Sequence, residues 1–247
     1  MRLVVELAAT VAKDPARPEL NEDAWAMSAS GDRLAVSDGA SESYDSQTWA
    51  KLLVERYVWD NKFNVEWLDE AVSEYVASID IETLSWSRQA AFERGSFATL
   101  MGAELAPNGQ DLEVLAVGDC LAAHLRDAEL LTTFPFTEAA EFDARPQLLA
   151  TVPSANEFLR EPGFFEHNSS RSWQVQKGDV LLFVTDAVGQ WMLRERDAGD
   201  ECPIALLAAV VDEMEFQALI VRLRNEKRIR LDDSTVVRVR ISGESAQ

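Results

Sequence analysis

Cysteine and histidine are scarce in this chain, two of each in 247 residues, and each scarcity removes a class of protein. Cys120 and Cys202 stand apart, with no paired-thiol motif around them, so neither a disulfide-stapled secreted scaffold nor thiolate metal ligation fits. A reducing cytoplasm suits them best. His124 lies beside Leu125 in an apolar run and reads as a residue that packs or caps a sheet, and His167 sits in a polar loop, so neither is a catalytic candidate. Long hydrophobic runs are also missing: nothing approaches the ~20 residues that cross a bilayer, and MRLVVELAATVAKD, with one early Arg and no small-residue cleavage site, reads as a first strand rather than a signal peptide. Positive charge is short as well. With 43 acids against 23 Lys plus Arg, the formal charge of −20 excludes a binder of nucleic-acid phosphates. No repeat and no long Pro/Gly/Ser stretch divides the sequence, so a single domain over 1–247 is expected.

What is present is enough apolar residue, 47%, to bury a substantial core. AWAMSAS and RLAVSDG, split by Ser30-Gly31-Asp32, read as a hairpin, followed by helical spacing in SQTWAKLLVERYVWD and a second helical stretch over about Val65 to Phe92. Strands return in FATLMGAELAP, LEVLAVGDCLAAHLRD and AELLTTF, with Asn108-Gly109 as a hairpin turn. The stretch from Glu138 to Arg171, with Pro146, Pro153 and Pro162, is expected to form irregular surface connections. Order resumes with SWQVQKGDVLLFVTD, two helical patterns in PIALLAAVVDEM and FQALIVRLRNEK, and a last strand STVVRVRI. Antiparallel strand pairs with helices arriving in pairs predict an α+β protein, a four-layer helix/sheet/sheet/helix sandwich with two central antiparallel sheets. The seven tryptophans read mostly as core, and the basic run Arg222 to Arg230 as a solvated helix end favoured by the dipole.

Three aspartates carry the chemistry. Asp38 in RLAVSDGA, Asp186 in GDVLLFVTDAVGQW and Asp232 in LDDSTVVRVRI each sit at the edge of an apolar strand-like run. One such acid is an ordinary turn residue. Several carboxylates losing hydration at the lip of buried sheets must be protonated, hydrogen-bonded or paired with a cation, and the pattern asks for a divalent metal. Oxygen ligands without thiolate or imidazole suit Mg²⁺ or Mn²⁺ rather than Zn²⁺.

The segments NEDAWAM, AVSDGAS, GSFATLMGAEL, LAVGDCLAAHLRD, GDVLLFVTDAVGQWM and DDSTVVRVRI occur in the order and at roughly the spacing of the motifs of the metal-dependent type 2C protein phosphatases, from Asn21 to Ile241. The chain resembles a divergent, bacterial-style member. That resemblance implies two Mg²⁺ or Mn²⁺ ions and hydrolysis of phosphoserine or phosphothreonine in proteins by a water activated between them. Asp38 would bridge the ions and the Gly39 carbonyl would join one of them. Glu22 and Asp23 would serve that ion's shell, Asp186 and Asp232 the other ion, and Asp119 a looser third. Asp233 would lie behind the ligands. The implied partners are a phosphorylated protein and a cognate Ser/Thr kinase or its targets, with no nucleic acid and no membrane.

The departures from the pattern are specific. Arg17, the candidate phosphate binder, lies five residues before Glu22 rather than four, with Pro18 between, so a one-residue bulge would have to bring it into place. Ala40 stands where many eukaryotic members carry a His, and Ala187 replaces a Gly after the second metal Asp. Gln190 replaces an acid, which weakens the third-ion position, while Cys120 and Leu121 replace a Ser and an Arg. Cys120 reads as a small buried residue. These losses keep two further readings open: a catalytically weak or inactive regulatory module, and a phosphatase of small molecules.

Overall fold

The computed structural model describes residues 1–41, 43–165, 169–199 and 203–243, so His167 and Cys202 lie outside the described residues. Two five-stranded antiparallel sheets form its centre. The first runs β1 (Arg2–Val11), β12 (Ser234–Ser242), β11 (Val180–Val184), β7 (Leu121–Arg126), β8 (Glu129–Phe134). The second runs β10 (Ser170–Gln174), β6 (Asp111–Val117), β5 (Leu100–Leu105), β3 (Arg33–Ser37), β2 (Ala24–Met27). A short pair, β4 (Phe97–Ala98) with β9 (Leu149–Ala150), lies beside them.

Strand periodicity explains the layers. In β11, Leu181 and Phe183 enter the core between the sheets with Leu34, Val36 and Val239, while Leu182 and Val184 face the helices, so the run VLLFV is apolar on both sides. The helices on that face are α4 (Asp186–Ala198), α5 (Pro203–Ala209) and α6 (Glu213–Asn225), which bury Trp191, Leu207, Phe216 and Ile220 against the first sheet. On the opposite side α1 (Ser46–Trp59) and α2 (Val65–Ala77) bury Trp49, Leu53, Tyr57 and Tyr75 against Ala35, Leu100 and Val117 of the second sheet. The expected helix/sheet/sheet/helix order is the one observed. In β1 a register shift between Val5 and Leu7 lets one strand serve both cores: Leu3 packs between the sheets, whereas Leu7, Ala9 and Val11 face the helices.

Two expectations need correction. The helical stretch from Val65 to Phe92 is broken: α2 ends where Ser78 donates to the Tyr75 carbonyl, and α3 (Trp86–Arg94) follows a single 3-10 turn at Ile81–Thr83. The apolar spacing looked continuous because Ile79, Leu84, Ala91 and Phe92 all lean on one cluster. The proline-bearing middle segment is no mere surface connection. Phe142, Leu149, Ala150 and Leu159 are buried, and Trp49 Nε1 donates to the Leu149 carbonyl at 2.9 Å. Most of the tryptophans, 49, 67, 173 and 191, lie in the cores as expected, and 25, 59 and 86 are exposed.

His124 does cap a sheet. Its Nε2 lies 2.8 Å from Asp179 Oδ2, and its ring stacks on Trp173. Burial would raise the Asp179 pKa, but Arg126, the Gln176 amide and His124 outweigh it and hold the carboxyl at about 2. A lowered folded-state pKa stabilises the fold above the ordinary carboxylate range and ceases to do so as pH falls through the folded value. Between an unfolded value of 3.8 and about 2, the shift corresponds to roughly 2 kcal/mol. We expect Asp179→Asn to lose at least about that much in urea melts at pH 7, with the gap to the parent narrowing from pH 4 to pH 2. An unchanged gap across that window would contradict this account.

Strand direction decides where the acids meet. The pairings Val11 with Ser234, Val184 with Val236 and Leu121, Ala24 with Ser37, and Leu100 with Val117 all lie at one end of the two sheets. Asp38 follows β3, Asp119 follows β6, Asp186 follows β11, and Asp23 and Asp232 precede β2 and β12. Loops distant in sequence therefore open onto the same edge.

Candidate active site

At that edge Asp38, Asp119, Asp186 and Asp232 line one cleft of about 140 Å³, together with Gly39, Thr99 and Leu148. Thr99 fixes the first acid: its hydroxyl accepts the Asp38 N–H at 2.8 Å, and its own N–H donates to the Asp38 carbonyl at 2.9 Å. Gly118, at φ +99°, lets the chain pass Thr99 on its way from β6 to Asp119; a Cβ there would stand 2.5 Å from Thr99 Cγ2. Gly39 is required by close approach, since a Cβ would come within 2.9 Å of Ser46 and 3.0 Å of the Glu22 carbonyl.

Glu22 and Asp23 stand beside this cleft. Glu22 accepts from Ser46 Oγ at 2.5 Å and pairs with Lys13 Nζ, which also reaches Ser41 Oγ at 2.5 Å. Asp23 Oδ2 accepts the hydroxyls of Thr185 at 3.1 Å and Thr235 at 2.6 Å, so an acid leading into one sheet is held by two threonines of the other. Asp233 is nearly wholly buried, and both its oxygens are taken by main-chain amides, Lys13 N at 2.6 Å and Glu22 N at 2.8 Å. It fastens the 13–22 loop to the start of β12.

The electrostatics show the strain of gathering these groups. Burial pushes the Asp23 and Asp38 carboxyls well above the usual range, and neighbouring acids push them further. Burial also raises Asp119 and takes Asp186 to about 7, although the Arg230 guanidinium works against both shifts. Arg230 donates directly to Asp186 Oδ2. Two buried oxygens, Asp23 Oδ1 and Asp186 Oδ1, have no hydrogen-bond partner. Unpartnered buried carboxylate oxygens are costly, and a hard divalent cation supplies what they lack. The donor set therefore fits Mg²⁺ or Mn²⁺. As the side chains stand, no three acids, cysteines or histidines among the described residues are gathered tightly enough to hold an ion, with Glu22 and Asp186 each turned to a cation of the chain itself.

No family model and no curated protein matches the sequence. Solved structures do match. The serine/threonine phosphatase PstP/Ppp of Mycobacterium tuberculosis is 18% identical and aligns over 98% of this chain and 100% of its own at a TM-score of 0.61. The PstP catalytic domain in complex with two manganese ions is 19% identical over 96% of this chain and 98% of its own, at 0.56. The chain has the type 2C phosphatase fold. A third similar structure, 20% identical over 97% of this chain and 100% of its own at a TM-score of 0.53, is described under the bacterial stressosome, a modular system adapted to control secondary messenger signaling.

On this phosphatase fold, the structure brings together Asp38, Gly39, Asp119, Asp186 and Asp232, with Glu22, Asp23 and Asp233 alongside. Arg17 is not brought in: its side chain is 63% exposed and pairs with Asp14 at 2.8 Å. Pro18–Leu20 forms a 3-10 turn with no buried residue, and the cation of this loop that reaches the acids is Lys13. Arg230 was hidden in the basic run expected to be a solvated helix end. Instead Arg224 donates to the carbonyls of Ala12 and Asp232, Arg228 pairs with Glu195, and Arg230 meets Asp186. Gln190 lies 3.4 Å from Asp143 of the middle segment. Cys120 is buried against Thr99, and burial pushes its thiol pKa well up, so it is no nucleophile. Among the described residues no helix is long and apolar enough to cross a membrane.

Proposed function

We propose that the whole chain acts as one metal-dependent phosphomonoester hydrolase domain, removing phosphate from phosphoserine or phosphothreonine of proteins. The observation that carries this reading is the convergence of Asp38, Asp119, Asp186 and Asp232 in one cleft at the edge of a phosphatase fold, with Asp23 beside them and unpartnered buried oxygens on Asp23 and Asp186. Asp38 would bridge two ions with the Gly39 carbonyl on one of them. Glu22 and Asp23 would complete that side, Asp186 and Asp232 would hold the other ion, and Asp119 a looser third. Bound Mg²⁺ or Mn²⁺ would supply Lewis acidity toward the phosphate oxygens and a water ready for in-line attack.

The chain's own residues do the rest. Thr99 keeps Asp38 at the end of β3, Asp233 holds the 13–22 loop against β12, and the threonines at 185 and 235 donate to Asp23 and work against the rise that burial imposes on its carboxyl. Lys13, beside Glu22 and Ser41, would meet a phosphate oxygen in the role that the resemblance implies for Arg17. A phosphorylated protein, dephosphorylated against a cognate kinase, is the natural substrate on this reading.

The purified protein should release phosphate from a phosphothreonine peptide with Mn²⁺ and lose that activity on chelation. Undiminished turnover in excess chelator would reject the proposal. One observation favours a second reading, a regulatory module that binds ions without turnover: two acids of the site are already paired with Lys13 and Arg230. Calorimetric Mn²⁺ titration beside the phosphatase assay separates the two.

A further inference from the structure

The acid cleft does not end at the acids. Ala40, Ser41 and Leu148 form its wall on one side and also the wall of a larger trough of about 470 Å³ that runs toward α3. Tyr44, Phe97 and Leu148 give this trough apolar sides, and Arg94 and Arg145 stand along it. No acid lines it among the described residues, whereas four line the adjoining cleft. In a chain with 43 acids and 23 basic residues, that local reversal of sign is a marked departure.

The two arginines are also uncommitted. Neither forms an ion pair among the described residues, and the one side-chain hydrogen bond of Arg94 goes to the Ala90 carbonyl within its own helix. A third cation, Arg88, lies over the Tyr44 ring at 5.6 Å and so flanks the same wall. Guanidinium groups left without a carboxylate partner on an acidic protein can bind a partner's carboxylates with little prior contact to give up.

We propose that this trough docks the segment flanking the phosphorylated residue of a protein substrate, and that it selects acidic and apolar side chains there. The inference rests on the phosphatase reading and deepens it. Continuity fixes the geometry: a phosphoryl group in the acid cleft places the neighbouring residues of an extended peptide over Ala40, Ser41 and Leu148, directly before the arginines. Charge fixes the class. A basic segment would face Arg94 and Arg145, whereas an acidic one is attracted to them. A small phosphate ester needs none of this surface.

The test compares kcat/KM with Mn²⁺ on phosphothreonine peptides carrying Glu or Lys on either flank, with p-nitrophenyl phosphate as the small substrate. The parent should prefer the Glu peptide on one flank by about tenfold or more, and Arg94→Glu with Arg145→Glu should erase or invert that preference while p-nitrophenyl phosphate turnover stays within about twofold. Both arginines are exposed, so melting temperature should hold. Equal rates on all peptides, or a preference that survives the double reversal, overturns the docking proposal. Should p-nitrophenyl phosphate itself resist hydrolysis, the hydrolase reading fails separately, and fluorescence anisotropy of a labelled acidic phosphopeptide then decides the trough: tighter binding to the parent than to the double variant supports it, and equal binding overturns it.

Discussion

Asp38→Asn is expected to lower Mn²⁺-dependent phosphate release by about three orders of magnitude or more while making the metal-free protein more resistant to heat. The two halves of that result have one cause. Asp38 sits half-buried among Asp23, Asp186, Asp119 and Asp232, and burial with those neighbours raises its carboxyl well above the ordinary range. For an acid raised in the folded state, the unfolded chain ionises first, so stability falls as pH climbs from the ordinary range through the folded value. At neutral or mildly alkaline pH the metal-free parent carries that cost, and an asparagine of the same shape does not. The amide retains the main-chain contacts to Thr99 but offers one carbonyl oxygen in place of a charged bridging pair. Activity assays with Mn²⁺ and melting curves in chelator would check both. A variant that lost activity and also melted lower would show that Asp38 holds the fold rather than the ions.

Arg230→Ala should tighten Mn²⁺ binding by about tenfold or more, ~1.4 kcal/mol in binding free energy. In the parent, an arriving ion must displace the guanidinium from Asp186 and remain near its charge. The arginine is 38% exposed, so solvent screens part of the repulsion and the gain stays well below a dry-interior value. Removing it also leaves Asp186 without the positive neighbour that opposes its raised pKa, so proton release on Mn²⁺ binding near pH 7 should increase. Isothermal titration in two buffers of different ionisation heat reads affinity and protons together. Unchanged or weaker affinity would mean that Arg230 supports the ion site instead of competing with it.

Much of the fold was legible because it is written locally. The short apolar runs RLAVS and VLLFV, buried on both sides, declare strands, Asn108-Gly109 declares its hairpin, and the acids at strand ends declare an edge where charge collects. What escaped was set by contacts between distant segments. Nothing near Arg230 in sequence announces Asp186, 44 positions away, because only the pairing of β11 with β12 brings them face to face. Lys13 was read as the end of a strand, and its meeting with Glu22 depends on Asp233 tying down the loop from 220 positions away. Arg17 fell one residue outside the expected spacing, and Asp14 nearby offered it a partner before the cleft could. The middle segment misled because its prolines mark turns, while burial of Leu149 and Phe142 is decided by Trp49 and α4.

Asp23 leads into one sheet and takes its hydroxyl donors from the other, so the arrangement of carboxylates endures only while the sheets keep their mutual stagger. A small sideways slip, under pressure or from a void opened at Phe183 or Met101 in the shared interior, would scatter the oxygens while each ladder stayed intact. Ion capture would then fail ahead of secondary structure, and a manganese signal would report sheet alignment sooner than circular dichroism could.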